Sequence, residues 1–281
     1  MAEAVYLEPE LRIVSLGDRR IAVRLAGGGD RLPLVLLHGI GSNSSAWAGQ
    51  FAGFAHERRL IAWNAPGYPG STPLPMNTPT PENYGASLVG LLDVLAIDRA
   101  VLVGQSLGAI MATTVAIEQP ARVAGLVLAS PASGYATPLG DPIPARVAER
   151  VEEIERFGPQ GLVDRRAHRL LTARASSEAR AIVQRVMGQV TVQGYSQASR
   201  MLAHADLVAM AAHLSVPTLV LWGEEDVITP PADCARVAAA VPCGRSAALP
   251  GVGHGFTIEA PAIFNNALAE FMAEIECVTV D

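Results

Sequence analysis

Apolar runs and amphipathic stretches alternate along the first 130 residues of the chain. The apolar runs are short, rich in Val, Leu and Ile, and typical of strands buried on both faces; they cover 34–37, 59–63, 101–104 and 123–129. The amphipathic stretches space their apolar side chains as one face of a helix does, at 46–55, 80–97 and from 107 until Pro120. Strands that alternate with helices predict a parallel sheet covered on both faces.

This rhythm is preceded by a different pattern. Residues 11–16 and 20–25 alternate apolar and polar side chains on either side of Gly17 and Asp18. Such alternation around a glycine-containing turn predicts an antiparallel hairpin at the edge of the sheet.

The rhythm is also interrupted once. From about residue 141 to 212 the sequence has no strand-like runs, only amphipathic helices rich in Arg and Glu, whose arginines we expect on salt-bridged, solvated faces. Strand and helix patterns then resume at 217–222, 231–241, 245–249 and 258–275. We therefore predict an α/β core of residues 1–133 and 213–281 with an inserted helical cap of residues 134–212.

The sequence Gly104-Gln105-Ser106-Leu107-Gly108 stands where an apolar strand pattern changes into a helical one. A G-x-S-x-G sequence in this setting is typical of a strained turn that projects a serine above the sheet edge. Side chains at the two glycine positions would collide with neighbouring backbone, and glycine removes that collision. The context therefore predicts that Ser106 is a nucleophile, near the positive end of the following helix.

A serine hydroxyl needs a base to become nucleophilic, and the base needs a carboxylate to orient it. Three acidic residues follow the strand predicted at 217–222: Glu224, Glu225 and Asp226. We favour Asp226, because the segment after it turns the chain back toward the core. An exposed acidic loop with no catalytic role is the alternative.

His254 is the best candidate for the base. It lies between Gly253 and Gly255, after the last predicted strand and before the last helix, so its loop can carry it over the same sheet edge. The other histidines fit surface, packing or turn positions better; they are His38, His56, His168, His204 and His213.

Ser106, Asp226 and His254 follow one another in the order serine, acid, histidine, each at a strand end, and His38-Gly-Ile-Gly41 follows an early central strand. In these features nearly the whole chain resembles the α/β-hydrolase fold superfamily. The resemblance implies a mostly parallel eight-stranded sheet flanked by helices, with a helical cap after the sixth strand. It also implies that the backbone N–H groups of Ile40 and Leu107 form an oxyanion hole.

Two departures from the family pattern stand out. In the loop 64–69, Asn64 and Pro69 stand where family members often have aspartate and glycine. Directly before the nucleophile, Gln105 stands where histidine is common. The first concerns a mainly structural loop and the second the pocket wall, so the predicted catalytic residues are unaffected. Serine at position 106 excludes the members whose nucleophile is aspartate.

Composition narrows the function classes. The net charge of −6 gives no general attraction for nucleic acid or anionic membranes, and no apolar run is long enough to span a bilayer. The N-terminal segment, with Glu3, Glu8 and Glu10, does not have the pattern of a secretory signal. The three cysteines have neither disulfide nor zinc spacing. We expect a cytoplasmic enzyme with no cofactor or metal and a small-molecule substrate; a homo-oligomer is left open.

The leading hypothesis is a serine hydrolase that cleaves a small ester or lactone through an acyl-enzyme. The stretch from His38 to Asn43, with Trp47 and Gln50, looks most like carboxylesterases and enol-lactonases of aromatic degradation. Three alternatives stay open: a C–C bond hydrolase of aromatic ring-cleavage products, a cofactor-free dioxygenase of the same fold, and a non-enzymatic receptor for a small ligand.

Overall fold

The computed structural model describes residues 8–278. The prediction that the N-terminal segment is not a secretory signal concerns mainly residues 1–7, which lie outside the described part. Its strands form one eight-stranded sheet with the order β1-β2-β4-β3-β5-β6-β7-β8. The strand bounds are β1 Leu11–Leu16, β2 Arg19–Ala26, β3 Leu34–Leu37, β4 Leu60–Trp63, β5 Ala100–Gln105, β6 Val123–Ala129, β7 Thr218–Gly223 and β8 Arg245–Leu249. The first two strands form the predicted hairpin, and β2 also pairs antiparallel with β4. All other pairs are parallel, which confirms the predicted fold class.

Helices cover both faces of the sheet. The α-helices are α1 Ala48–Phe54, α2 Pro81–Val94, α3 Leu107–Glu118, α4 Ala145–Arg166, α5 Ser177–Met187, α6 Val192–His204, α7 Leu207–Ala211, α8 Pro231–Ala240, α9 Phe256–Glu259 and α10 Pro261–Val278. The central strands β3, β4, β5 and β6 are buried along their whole length, as expected for strands with apolar residues on both faces. Two apolar clusters result, one on each side of the sheet.

The segment between β6 and β7 contains helices α4 to α7 and a single β-bridge between Gly134 and Asp206. Helix α4 is interrupted at Gly158, whose φ of 64° is not helical, immediately before Pro159. The interval agrees with the helical segment expected there, while the domain boundaries at 133/134 and 212/213 stay a prediction. We call residues 134–212 the cap.

The closing helix differs from the prediction. It was expected to run unbroken over 258–275, but the chain forms the short α9 and then α10. The break falls at Ala260, with φ −141°, because a residue before proline is disfavoured in the helical conformation and Pro261 follows. Within residues 8–278, no helix combines the length and apolar character needed to cross a bilayer.

Candidate active site

Ser106 lies at the sharp turn between β5 and α3. Its φ of 54° and ψ of −112° fall in a region that non-glycine residues rarely adopt. The turn is held by main-chain hydrogen bonds: the Ser106 N–H donates to the Ala129 carbonyl at 2.8 Å, and the Ala132 N–H donates to the Ser106 carbonyl at 3.2 Å. The fold therefore holds this residue in a strained conformation at the carboxyl edge of the sheet.

The two glycines around Ser106 are required by close backbone contacts. A Cβ atom on Gly104 would lie 2.4 Å from the Gly108 carbonyl oxygen. A Cβ atom on Gly108 would lie 2.2 Å from the Leu37 carbonyl oxygen. Both distances are far below a van der Waals contact, which confirms the predicted reason for glycine at these positions.

The structure brings Asp226 and His254 together. Asp226 follows β7 in the turn expected for it, His254 lies in the loop after β8, and His254 Nδ1 is 2.8 Å from Asp226 Oδ2. Both side chains are buried. An ionised carboxylate can only accept, so Nδ1 carries the proton, and in the neutral ring Nε2 then keeps its lone pair. That arrangement leaves one basic nitrogen on an oriented imidazole.

Asp226 receives four further hydrogen bonds. Ser130 Oγ and Thr229 Oγ1 donate to Oδ2 at 2.7 and 2.8 Å, and the N–H groups of Ile228 and Thr229 donate to Oδ1 at 2.8 and 2.9 Å. Burial alone would raise the pKa of Asp226, but the charge and hydrogen bond of His254, with the hydrogen bonds from Ser130 and the Thr229 main chain, outweigh it and hold the pKa below its ordinary value. The carboxylate is therefore ionised at neutral pH.

Sequence reasoning missed Ser130 and Thr229. Thr229 Oγ1 also lies 3.1 Å from His254 Nδ1, so it contacts both members of the pair. Ser130 follows β6 directly and has a φ of 43°. A hydroxyl residue at a strand end was the available signal, but nothing in the sequence links these hydroxyls to Asp226.

The competing residues lie elsewhere. Glu224 and Glu225 are exposed, and Glu225 forms an ion pair with Arg174 of the cap. His56, His168 and His213 are exposed as well. His204 Nδ1 is 2.8 Å from the Thr137 carbonyl, within the cap. None of these residues lies against Asp226.

His38 supports the loop after β3. Its Nδ1 donates to the Gly39 carbonyl at 2.8 Å, and its Nε2 accepts from the Ala65 N–H at 3.1 Å. Burial lowers the pKa of His38 to about 4, although the hydrogen bond to Gly39 acts in the opposite direction. His38 is therefore neutral at pH 7, and a neutral ring with one N–H fits both contacts.

The same contact orients the next peptide group. The Gly39 carbonyl also accepts from the Ser42 N–H at 3.1 Å, and since the peptide bond is trans, the Ile40 N–H points the opposite way. The Leu107 N–H is in the first turn of α3, where no helical acceptor exists. Within the described part of the chain, neither N–H donates to a protein group.

Two cavities meet at Ser106 and Ile40. The inner one has a mainly apolar wall that includes Trp47, Val183 and Met187, and His254 also lines it. The outer one, of about 630 Å³, is lined more by polar groups and by Leu107. No hydrogen bond joins Ser106 to His254 in this structure; in unliganded enzymes this contact is often long and tightens when substrate binds.

The cap is fixed to the histidine loop by one carboxylate. Glu259 Oε1 accepts from the N–H of Thr172, 3.0 Å away, and from its hydroxyl, while Oε2 accepts from the Gly253 N–H at 2.9 Å. The Gly255 N–H adds a bond to the Leu170 carbonyl at 2.8 Å. These contacts lie on both sides of His254, so hydrogen bonds hold the cap directly against the histidine loop.

The two departures from the family pattern have structural explanations. Asn64 Oδ1 accepts from the Ser44 N–H at 2.8 Å and its Nδ2 donates to the Pro69 carbonyl at 2.7 Å, so the amide joins two loops. Gln105 lines the inner cavity and donates to the His254 carbonyl at 3.3 Å. As predicted, Gln105 contributes to the pocket wall.

The described residues contain neither a candidate metal site nor a disulfide bond. Among residues 8–278, no group of three or more His, Cys, Asp or Glu side chains could hold a metal ion. Cys234, Cys243 and Cys277 are all free thiols.

The fold and the site together define the class of protein. Residues 34–267 match the model of the alpha/beta hydrolase family, so the chain belongs to that family. This confirms the predicted resemblance.

Individual relatives are enzymes of this family. The chain is 25% identical to 3-oxoadipate enol-lactonase 1 of Acinetobacter baylyi over 95% of its length and 98% of the relative's. It is 29% identical to the pimeloyl-[acyl-carrier protein] methyl ester esterase of Edwardsiella ictaluri, over 87% and 94% of the two chains. A thermophilic esterase of Thermogutta terrifontis superposes with a TM-score of 0.84 at 25% identity, covering 95% of this chain and 99% of the other.

Proposed function

We propose that the protein is a serine hydrolase that cleaves a small-molecule ester or lactone through an acyl-enzyme. The observation that carries this proposal is the 2.8 Å hydrogen bond between His254 Nδ1 and Asp226 Oδ2 at a cavity that Ser106 also lines. The similarity to an enol-lactonase and to esterases supports an ester or lactone bond as the target.

His254 is the general base of the proposed mechanism. Nε2 takes the proton of the Ser106 hydroxyl as its oxygen attacks the carbonyl carbon, and then gives it to the leaving alcohol. Asp226 stays ionised, holds the tautomer and stabilises the imidazolium. In the second half-reaction Nε2 takes a proton from a water whose oxygen attacks the acyl carbon, and returns that proton to the Ser106 oxygen as the acyl bond breaks and the acid leaves. The depressed pKa of Asp226 fits this role, because the carboxylate remains charged throughout.

The N–H groups of Ile40 and Leu107 are the proposed oxyanion donors. Both residues line the outer cavity beside Ser106, and both N–H groups lack an acceptor among the described residues. Each such donor typically contributes about 3 kcal/mol when charge develops on the carbonyl oxygen. His38 acts here as a positioning residue, since it fixes the peptide that carries the Ile40 N–H.

The test compares wild type with Ser106→Ala, using hydrolysis of p-nitrophenyl butyrate and labelling by a fluorophosphonate probe. We expect Ser106→Ala to lower kcat by about 10³- to 10⁶-fold and to abolish labelling. Ser196→Ala, which changes a buried serine outside the cavity, is the control and should retain both. Wild-type turnover in Ser106→Ala would overturn the proposal.

The alternative chemistries are separated with the same proteins. Consumption of a catechol ring-fission product without ester hydrolysis would favour a C–C bond hydrolase. Oxygen uptake with an organic substrate would favour the cofactor-free dioxygenase. A thermal shift with ligand and no turnover would favour a receptor.

A further inference from the structure

The cap contains ten arginines, and most have a partner on the chain. Five form ion pairs with carboxylates, one stacks on the Phe157 ring and one donates to main-chain carbonyls. In chain order these are Arg156, Arg165, Arg166, Arg174, Arg180, Arg185 and Arg200. The expectation of salt-bridged arginine faces therefore holds for part of the cap only.

The remaining three are Arg146, Arg150 and Arg169. Within residues 8–278 they make no hydrogen bond, ion pair or ring contact, and Arg150 is half-buried with an Nε that is shielded from solvent and unpartnered. All three line the outer cavity together with Ser106. The cap arginines without a partner are thus the ones beside the candidate nucleophile, where a desolvated guanidinium lacks compensation.

The outer cavity is positively charged although the protein is not. Four arginines line it, the fourth being Arg166, against the carboxylates Glu149 and Asp233. Asp233 already forms an ion pair with Arg236 on α8, and Arg166 is neutralised by Glu153. The whole chain carries a net charge of −6. A cleft whose sign opposes that of the molecule concentrates anions from solution.

The two cavities make different demands on a ligand. Apart from the arginines that both walls share, the inner wall is mainly apolar, while the outer wall is lined more by polar groups and adds Arg146. Ser106, Ile40, Arg150 and Arg169 line both cavities, so a carbonyl at Ser106 lies at the junction. A substrate whose carbonyl lies at this junction can place an anionic group against the shared guanidinium groups and an apolar group in the rest of the inner cavity.

We propose that Arg150 and Arg169, with Arg146 beside them, bind a carboxylate of the substrate, so that the enzyme prefers esters or lactones that carry a second, anionic group. This inference rests on the proposed function, because it places the carboxylate relative to a carbonyl attacked by Ser106. Guanidinium groups suit the role because they stay charged and can bind a carboxylate with two parallel hydrogen bonds.

The experiment uses matched ester pairs. Monomethyl succinate, glutarate and adipate are each compared with the neutral isosteric monoamide, and kcat/KM is measured from methanol release at pH 7.5. We expect wild type to favour the anionic ester of at least one pair by about ten-fold or more, the scale of one hydrogen bond between charged groups. Arg150→Gln and Arg169→Gln should each lower that anionic-to-neutral ratio by about ten-fold, and Arg150→Lys should restore part of it.

Arg156→Gln is the matched control. Arg156 is on the same helix as Arg150, is exposed, and does not line either cavity, so the ratio should stay within about two-fold of wild type. Arg169 is exposed, so its variant keeps the test valid if Arg150→Gln does not fold.

The outcomes separate the two proposals. Ester hydrolysis that depends on Ser106 but shows no preference for any carboxylate overturns the anion-binding inference alone. A wild-type preference that survives in both Arg150→Gln and Arg169→Gln does the same. If wild type hydrolyses no ester, or hydrolyses esters equally well as Ser106→Ala, the proposed function fails and this inference fails with it.

Discussion

The sheet edge and the cap face each other across the same cavity, yet they are built in opposite ways. At the sheet edge five donors converge on the two carboxylate oxygens of Asp226. In the cap, three of the four arginines that line the outer cavity have no partner among the described residues, and only Arg166 is paired, with Glu153. A hydrogen-bond network in which the carboxylate is fully satisfied fixes one geometry, whereas the unpaired guanidinium groups remain available to bind a ligand. Under the two proposals made above, the core carries the chemistry and the cap the choice of substrate.

Among the variants that test this comparison, the largest effect should follow from removing the charge that orients the imidazole. Asp226→Asn presents an amide where His254 Nδ1–H now finds a carboxylate, which favours the wrong tautomer; we expect kcat to fall by about 10³- to 10⁴-fold. Steady-state kinetics on p-nitrophenyl butyrate measure it.

The neighbouring carboxylate supplies the control for this prediction. Glu225→Gln removes an exposed charge that contacts the cap through Arg174, and kcat should change by less than about two-fold. Similar losses in the two variants would show that the sheet edge and the cap do not divide the work as described.

A smaller effect, on stability, tests how tightly the backbone of the sheet edge is packed. Gly108→Ala places a Cβ 2.2 Å from the Leu37 carbonyl oxygen, and the nearest atoms all belong to the Leu37 and His38 backbone, which has little room to adjust. We expect the free energy of unfolding to drop by about 4 kcal/mol, measured by urea denaturation. Gly90→Ala, in α2, meets only ordinary contacts at 3.7 Å and should be neutral or stabilising. Equal effects at the two positions would contradict the close packing.

The smallest effect concerns pH. His38 has a pKa of about 4 when folded against 6.5 as its ordinary value, so below pH 6.5 the unfolded chain binds more protons and stability falls. Between pH 7 and pH 4.5 this should remove about 2 to 3 kcal/mol of unfolding free energy. We expect His38→Asn to lack this part of the pH-dependent loss in unfolding free energy, as measured by urea denaturation at both pH values. His168→Asn, which changes an exposed histidine of the cap, should keep it.

The difference between the two regions also explains what sequence could predict. Ser106, Asp226 and His254 each stand at a strand end, and strand ends of a parallel sheet share one edge, so order and spacing were sufficient to select them. Sequence reasoning did not identify Ser130 and Thr229. Ser130 contacts Asp226 from 96 residues away in the chain, and the contact of Thr229 with Asp226 depends on a tight turn. The catalytic roles of Ser106, Asp226 and His254 stay predictions, which the kinetics of Ser106→Ala and Asp226→Asn test.

The sequence could not predict which cap arginines line the cavity, for a further reason. Arg150 and Arg156 are on the same helix, in the same Arg- and Glu-rich pattern, but one lines the cavity and the other lies over Phe157. Periodicity assigns side chains to faces, and it does not say which face a neighbouring element leaves open. The break at Ala260 was readable from Pro261 alone, and the unbroken closing helix was simply wrong.

The Glu259 carboxylate has a practical meaning for anyone who exchanges caps between relatives. Its two oxygens hold Thr172 on the transplanted side and Gly253 on the recipient side, next to the imidazole. A graft of 134–212 that does not bring the main-chain N–H and a hydroxyl of residue 172 against this carboxylate would leave it half-satisfied and loosen the histidine loop. Chimaeras designed to acquire a new specificity should therefore carry both ends of this link, or they will report lost turnover as if it were altered selectivity.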